Sequence, residues 1–390
     1  MSFNASMLRR FRVLLLLLCI LSFSGVTSSL AQHPAAEAAF ASLTKELNIV
    51  GLAVVAVKDG QIVYKHNFGA HSREQNIPLH EQSIFRIASI SKSFSAVTIM
   101  QLMEQGKLSL DDDFSKLVGF TIRNPKYPKK VITLRMVMSH TSSINDSQGY
   151  SKLDLINPAK NPDWAKCYSD YAPGEGYLYC NLNYNMVGTV IERITGERFD
   201  TRIKNHILKP LGLYGGYCVD SLDAKRFVTL YAYDSATSGF VPSPEAYAPR
   251  REQIAQYQMG YSTPVFSPTG GMKISAVDLC QYMMMHMNDG EYKGVRIMSP
   301  KSAQLMRQKI ADEEGYGLAM RETTDLIPGE VLKGHTGSAY GLYSAIFFEP
   351  NKKFGFVVIT NGCLPDTEPD IRTVLRKSIR ILYDNFVLVN

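Results

Sequence analysis

Two pairs of β-rich runs stand at opposite ends of this 390-residue chain, and few folds accommodate that order. Near the amino end, Gly51–Lys58 and residues 61–68 flank an Asp-Gly pair, which is typical of tight hairpins. Near the carboxyl end, residues 343–349 and 354–360 flank a second turn. The chain between the two ends carries mainly helical patterns. This order predicts an α+β fold, in which both chain ends form one antiparallel sheet that helices flank.

Helical patterns account for most of the remaining chain. They predict helices at residues 35–47, 89–104, 134–139, 184–195, 275–287 and 369–385. We expect one domain over residues 32–390, with an α/β lobe at about 35–106 and 267–388 and an inserted, mainly helical lobe at about 107–266. Two long loops, 145–178 and 218–266, lie in that insertion, and long loops of compact domains are often functional.

Residues 1–31 have the pattern of a secretory signal peptide. Three arginines precede the unbroken apolar run 13–21, and a Ser-Leu-Ala sequence offers a cleavage site before Gln32. The apolar run is too short to span a bilayer comfortably. We therefore expect a secreted or periplasmic protein with no stable membrane span after cleavage. An uncleaved N-terminal membrane anchor is the alternative.

Charge and cysteine content exclude several classes of partner. The net charge of +6 falls to +3 when the three arginines of residues 1–31 are removed, and no long basic run remains, so nucleic acid is not an expected partner. Five cysteines follow residue 31, an odd number without Cys-x-x-Cys or His-rich spacing. No structural zinc site is predicted, disulfide pairing stays open, and no metal or organic cofactor is implied.

A Ser-x-x-Lys motif at Ser89 and Lys92 supplies a candidate nucleophile and a candidate base. A short apolar run leads into Ser89 and a long one follows, which predicts a strand-to-helix junction with unpaired N–H groups that can stabilise an anion. Residues three apart share one face of a helix. A lysine in a dry pocket has a lowered pKa and can accept the serine proton.

The same four-residue template also occurs at Ser42 and Lys45. That segment is already helical, and no predicted strand enters it. Context therefore favours Ser89 as the nucleophile, and the simpler alternative for Ser89 is an N-cap serine.

Tyr179 and Asn181 form the second candidate motif. A loop tyrosine can transfer a proton if neighbouring positive charge lowers its pKa. If the segment is extended, Asn181 points to the same side as Tyr179, and its amide can bind a substrate carbonyl or amide. Tyr383 and Asn385 have the same spacing but lie in the terminal helix without a partner motif. The simpler alternative is an ordinary loop tyrosine and asparagine.

His335, Thr336 and Gly337 form the third motif, at the margin of the carboxyl-terminal β-rich part, where an exposed strand can bind an extended ligand. Thr336 can donate to a carboxylate or carbonyl, and Gly337 allows close approach because it has no Cβ. The N–H group of Ser338 can face an oxyanion. A glycine-rich turn with a solvated histidine is the alternative.

With these three motifs in this order, the chain resembles the serine β-lactamase and penicillin-binding-protein superfamily. It is similar to the group that holds class C β-lactamases, secreted D-Ala-D-Ala carboxypeptidases and related esterases. The first hairpin, the segment 106–112 after the serine helix, the Ser-His-Thr-Ser sequence at 139–142 and the Thr-Gly-Gly-Met sequence at 269–272 match as well. The likeness covers about residues 36–388.

The resemblance implies chemistry through an acyl-serine in a β-lactamase/transpeptidase-like fold. Ser89 would attack a carbonyl, and Lys92 and Tyr179 together would move its proton to the leaving group. Tyr179, helped by Lys92, would later activate the incoming water or alcohol. The backbone N–H groups of Ser89 and Ser338 would form the oxyanion hole.

The resemblance also assigns the substrate contacts. Asn181 would hold the amide on the acyl side of the substrate. His335 and Thr336 would face its carboxylate or the group that replaces it, and Gly337 would complete this substrate-binding segment. Class C β-lactamases usually carry lysine where His335 stands, and a histidine is largely neutral at pH 7 unless its pKa is shifted. This departure weakens the case for a dedicated β-lactamase. His140 is expected to be a hydrogen-bonded structural histidine outside the catalytic group.

The leading hypothesis is a hydrolase that cleaves an amide, ester or lactam of a small-molecule or peptide substrate, cell-wall compounds included. An acyltransferase or esterase on the same scaffold is the alternative. A non-catalytic module that binds peptidoglycan-like ligands is the third hypothesis, and the presence of Ser89, Lys92 and Tyr179 argues against it. The natural substrate and the oligomeric state stay open, because a fold does not fix its substrate.

Overall fold

The computed structural model describes residues 33–366 and 371–388, and the predicted signal peptide lies outside these ranges. The helices of the described chain are α1 Pro34–Glu46, α2 Lys92–Glu104, α3 Phe114–Val118, α4 Leu134–Met138, α5 Asn181–Thr195, α6 Phe199–Ile203, α7 Arg251–Ala255, α8 Ala276–Met287, α9 Pro300–Arg307 and α10 Thr373–Leu382. The strands are β1 Gly51–Lys58, β2 Gln61–Ser72, β3 Ile77–Pro78, β4 Phe85–Arg86, β5 Gly215–Gly216, β6 Tyr231–Asp234, β7 Gly239–Pro242, β8 Lys273–Ile274, β9 Glu291–Tyr292, β10 Val295–Arg296, β11 Arg321–Thr323, β12 Leu332–Ala339, β13 Leu342–Glu349 and β14 Phe354–Gly362.

Strands from both chain ends form one antiparallel sheet, which confirms the predicted α+β architecture. Within the described residues this sheet has seven strands in the order β11-β12-β13-β14-β1-β2-β3. Its centre is the pairing of β1 with β14, which joins the two ends of the chain. The β1–β2 hairpin turns at Asp59 and Gly60, which both have positive φ, as the Asp-Gly signal predicts.

Side chains of the central strands alternate between two apolar clusters, one on each face of the sheet. On β1, Leu52, Val54 and Ala56 face the cluster that α1 and α10 cover. The residues between them face the larger cluster, to which α2, α5 and α8 contribute. Because both faces are buried, β1 is apolar at nearly every position instead of alternating with polar residues.

A second, small sheet positions the segment that carries Ser89. Strand β8 pairs with β4 on one side and with β5 on the other, in register at Arg86 and Lys273. The chain leaves β4, forms a short 3-10 turn over Ala88–Ser91 and continues as α2. The predicted strand-to-helix junction is therefore present, although its first turn is a 3-10 turn and the α-helix begins at Lys92.

Cysteines contribute to the core as free thiols. The five cysteines of the described residues are unpaired and buried: Cys167, Cys180, Cys218, Cys280 and Cys363. Burial raises the pKa of Cys167 to about 11 and that of Cys363 to about 12.

Within residues 33–366 and 371–388, every helix is too short or too polar to span a membrane.

A buried carboxylate on α5 holds the segment 257–260 against that helix. Glu192 is fully buried and accepts hydrogen bonds from the backbone N–H of Phe199 (2.7 Å), the N–H of Gly260 (2.8 Å) and the Tyr257 hydroxyl (2.5 Å). Removal of one partner from such a network leaves buried polar groups unsatisfied.

We expect Glu192→Ala to lower the free energy of unfolding by about 3 kcal/mol or more, measured by urea denaturation, because it leaves these donors without an acceptor. Glu46→Ala is the control, since Glu46 forms an exposed ion pair with Lys377 that contributes little. Equal losses in the two variants would contradict the role given to Glu192.

Candidate active site

Ser89 lies at a strained junction that two strands hold in place. The preceding residue, Ala88, has φ of +47°, a conformation that non-glycine residues seldom adopt. Ser344 on β13 donates to the carbonyl oxygen of Ile87 at 3.0 Å. A Cβ on Gly337 would lie 2.3 Å from the same oxygen, so glycine is required there for β12 to pack beside the serine turn.

Lys92 is fully buried directly behind Ser89. Its ammonium nitrogen donates to Ser89 Oγ (3.1 Å), to Asn181 Oδ1 (2.9 Å) and to the carbonyl oxygen of Thr269 (3.0 Å). Burial lowers the pKa of Lys92 to about 7, against the opposing charge of Asp146. A large share of the molecules therefore carries a neutral amine within reach of the serine hydroxyl at neutral pH.

Tyr179 faces the same serine from the other side. Its ring lies 4.7 Å from Lys92 Nζ and packs against the rings of His140 (4.3 Å) and Tyr316 (6.0 Å). Burial raises the pKa of Tyr179, and the neighbouring Ser89 hydroxyl offsets part of that rise. Nearby positive charge, which can lower the pKa of a loop tyrosine, does not do so here, because burial outweighs that charge. Tyr179 is a neutral phenol that can donate a proton.

Asn181 contacts Lys92 as the first residue of α5. Its Oδ1 accepts from Lys92 and from Thr269 Oγ1 (2.8 Å), and its Nδ2 donates to Asp146 (3.0 Å). Cys180 is extended, as the motif suggested, but the helix begins one residue later. The amide oxygen of Asn181 thus orients the lysine in this structure, and its contact with a substrate amide stays a prediction.

Asp146 was not identified from the sequence. Its carboxylate accepts from the backbone N–H groups of Asn181 (2.8 Å) and Leu182 (3.0 Å) and from the Cys180 thiol (3.1 Å). It therefore caps the N-terminus of α5 from a loop 35 residues earlier in the chain. Capping patterns in sequence are local, so an acid at this separation gives no signal.

The third motif lies on β12 beside the serine turn. Beyond Gly334 this strand pairs with β13 but no longer with β11, which leaves an edge open to the cleft. His335 is buried, and its Nδ1 lies 2.5 Å from the Thr336 carbonyl oxygen. Since a carbonyl only accepts, Nδ1 carries the proton and Nε2 accepts from the Tyr316 hydroxyl at 3.1 Å. Burial lowers the pKa of His335 to about 3, so this side chain is neutral at pH 7.

His140 has the structural role expected for it. It is buried, and its Nδ1 accepts from the backbone N–H of Cys180 at 3.1 Å. Burial and the charge of Lys92 hold the pKa of His140 well below its usual value. The ring therefore supports the Tyr179 segment as a neutral acceptor.

A cleft of about 720 Å³ joins these groups. The structure brings together at its surface all the predicted site residues except Lys92, which lies beneath: Ser89, Tyr179, Asn181, His335, Thr336, Gly337 and Ser338. Further lining comes from the long loops, through Tyr150 and Arg250, and from Arg86, Glu314 and Tyr340. Trp164 and Tyr168 pack on each other away from the cleft lining, so these rings belong to the core.

This chain is similar to known proteins in sequence and in fold. The Beta-lactamase family model matches residues 36–379. Penicillin-binding protein 4 of Amycolatopsis lactamdurans is 26% identical over 341 residues, which cover 83% of this chain and 84% of that protein. Protein flp of Staphylococcus aureus (strain MRSA252) is 24% identical over 328 residues, 80% of this chain, but the chain spans only 60% of that protein. The octameric penicillin-binding protein homologue from Pyrococcus abyssi has a TM-score of 0.71 and 26% identity, with 90% of this chain and 77% of that chain covered.

The capping carboxylate gives a first test of the site. We expect Asp146→Ala to lower the free energy of unfolding by about 2 to 4 kcal/mol, because two backbone N–H groups and the Asn181 amide lose their acceptor. Urea denaturation provides the measurement. Asp163→Ala, an exposed acid of the same loop paired with Lys166, should change stability little. If both variants lost the same amount, Asp146 would not be the cap.

Proposed function

Since this chain belongs to the Beta-lactamase family, we propose that it is a serine hydrolase that cleaves an amide, ester or lactam through an acyl intermediate on Ser89. One observation carries the proposal: a fully buried lysine, whose pKa is lowered to about 7, donates to the serine hydroxyl at 3.1 Å. A serine hydroxyl is a weak nucleophile unless such a base removes its proton.

In the first half-reaction, Ser89 Oγ bonds to the substrate carbonyl carbon while Lys92 takes the hydroxyl proton. The N–H groups of Ser89 and Ser338 stabilise the oxyanion that forms. Tyr179 gives its phenol proton to the leaving group as the scissile bond breaks, and Lys92 replaces that proton. The raised pKa of Tyr179 suits this role, because the phenol stays protonated until the leaving group needs the proton.

In the second half-reaction, water attacks the acyl-serine ester. Tyr179 takes the proton of that water as it passes its own phenol proton to the neutral Lys92 amine, and Lys92 gives that proton to Ser89 Oγ when the ester bond breaks. Asn181 and the Thr269 carbonyl keep the lysine nitrogen in place through both steps. Thr336 and Gly337 bind the substrate along the open edge of β12.

The neutral state of His335 bears on the substrate. A dedicated β-lactamase must hold a carboxylate at this position, and a buried neutral imidazole whose Nε2 accepts from Tyr316 offers no cation. Histidine at this position is found, by resemblance, in the D-Ala-D-Ala carboxypeptidase branch and in family hydrolases of other substrates, so we favour a carboxypeptidase-like or esterase-like hydrolase over a dedicated β-lactamase. We place its action outside the cytoplasm, with the substrate entering between the α/β lobe and the helical lobe.

Removal of any catalytic group should abolish acylation. We expect Ser89→Ala, Lys92→Met and Tyr179→Phe to lower kcat/KM for a 4-nitrophenyl ester by about 10²- to 10⁴-fold while the circular dichroism spectrum stays unchanged. Matched controls come from the second copies of the Ser-x-x-Lys and Tyr-x-Asn patterns, which lie outside the cleft. Ser42→Ala, Lys45→Met and Tyr383→Phe should leave kcat/KM at the wild-type value. Wild-type rates in any variant of the first set would remove that residue from the mechanism.

The lowered pKa of Lys92 predicts the pH dependence. Because the neutral amine is the active form, kcat/KM for a neutral ester should rise about tenfold per pH unit up to about pH 7 and then level off. The pKa of His335 is about 3 and that of His140 is held well below its usual value, so neither imidazole titrates in this window. A profile that is flat from pH 5 to pH 8 would contradict Lys92 as the base.

Intact-mass spectrometry with benzylpenicillin separates the finer activities, with Ser89→Ala as the control. A persistent adduct on wild type indicates a penicillin-binding peptidase with slow deacylation. An adduct that turns over to penicilloate indicates a β-lactamase and would overturn the preference drawn from His335. Ester hydrolysis that depends on Ser89, without a penicillin adduct, indicates an esterase or acyltransferase.

A further inference from the structure

A strongly cationic chamber adjoins the cleft on the side away from Tyr179. This chamber of about 440 Å³ shares lining residues with the cleft, among them Arg86, Arg250 and Ser267. Its lining also holds Lys152 and Lys273 and, among the described residues, no aspartate or glutamate. The acid of the cleft lies elsewhere, since Glu314 is close enough to Tyr179 to raise the pKa of that phenol.

The innermost cations of the chamber are fixed by neutral partners. Arg86 donates to the carbonyl oxygens of Gly270 (2.9 Å) and Ala246 (3.2 Å), and its guanidinium lies 5.0 Å from the centre of the Tyr340 ring. Lys273 is 3% exposed and donates to the carbonyl oxygen of Tyr217 at 2.7 Å. The register of β4 and β8 sets these two cations opposite each other.

Arg250 completes the group from the 218–266 loop. Its side chain donates to Gln253 at 3.3 Å, and its backbone N–H donates to Asp220 (2.9 Å), whose other oxygen pairs with Arg251.

Among the described residues, no carboxylate forms a side-chain ion pair with Arg250, Arg86 or Lys273. Burial lowers the pKa values of Arg86 and Lys273; the charge of Arg250 lowers both further and that of Arg86 also lowers the pKa of Lys273, while Asp200 opposes part of the Lys273 shift. Buried charges of one sign are costly unless an opposite charge joins them. The chamber is therefore built to receive an anion.

The proposed chemistry tells which part of the substrate enters the chamber. Tyr179 protonates the leaving group, so the leaving group lies beside the rings that Tyr179 contacts, those of Tyr316 and His335. The acyl group then extends in the other direction, toward Arg86 and Arg250. A guanidinium fork matches the two oxygens of a carboxylate.

We propose that the chamber binds a carboxylate at the far end of the acyl group, so that the substrate is a monoamide or monoester of a dicarboxylic acid. This inference deepens the proposed function and rests on it for the direction of the acyl group. It also places a group of three basic residues on the acyl side of the cleft, whereas the leaving-group side, beside neutral His335, is lined by both Arg321 and Glu314.

Matched esters test the proposal. The 4-nitrophenyl monoesters of adipic and suberic acid are compared with the same esters whose second carboxyl group is methylated. We expect the free acid of at least one length to have a kcat/KM roughly 10- to 100-fold above that of its methylated counterpart, since charge-assisted hydrogen bonds add this much. Arg250→Gln should collapse this ratio toward one, and Arg250→Glu should invert it. Arg251→Gln is the matched control, because Arg251 is the exposed neighbour, pairs with Asp220 and does not line the chamber.

A binding measurement distinguishes a failure of this inference from a failure of the proposed function. Calorimetric titration of Ser89→Ala with the N-methyl monoamides of the same acids needs no catalysis. Binding of the acid but not of its methyl ester, lost in the Ser89→Ala/Arg250→Gln protein, supports the chamber even if no ester is hydrolysed. Equal ratios for Arg250→Gln and Arg251→Gln, or equal binding of acid and ester at both lengths, would overturn it.

Discussion

One buried ammonium group joins the segments that form the cleft. Lys92 extends from α2 and bonds to Asn181, 89 residues later, and to the Thr269 carbonyl, 177 residues later. A charge so far from water is unfavourable unless acceptors surround it, so the fold must hold each acceptor in place. The same dehydration lowers the pKa of the lysine to about 7 and so makes its amine a usable base near neutral pH. Stability and reactivity of this site thus have one physical origin.

The site depends on contacts between the motifs and on one residue outside them, Asp146. Asp146 fixes the start of α5 and thereby the Asn181 amide that faces Lys92. The close approach of Gly337 to Ile87 sets the distance between β12 and the serine turn. Neither Asp146 nor Gly337 takes part in bond making, and both act by holding other groups in position. The cleft is consequently a property of how α2, α5 and β12 pack, more than of any motif alone.

Much of the fold and the identity of the motif residues could be predicted from the sequence, because hairpin turns, helix periodicity and the Ser-x-x-Lys spacing are local patterns. Four features could not. The Asp146 cap and the Arg86–Lys273–Arg250 group form between residues far apart in the chain, and no local pattern encodes such contacts. The raised pKa of Tyr179 depends on burial that a single sequence does not show. The helix at Asn181 begins earlier than predicted, since its capping acid is distant.

The unpaired cysteines have a consequence for how this protein can be handled. The five cysteines of the described residues are free thiols. The thiols are buried, and the raised pKa values of Cys167 and Cys363 keep these two in the unreactive protonated form. They lie in different apolar clusters, Cys167 in the larger one and Cys363 in the one that α1 and α10 cover. Each thiol can be alkylated only after its own apolar cluster is exposed to solvent. The rates of alkylation at the two positions therefore measure the opening of the two clusters separately, without a cysteine introduced by mutation.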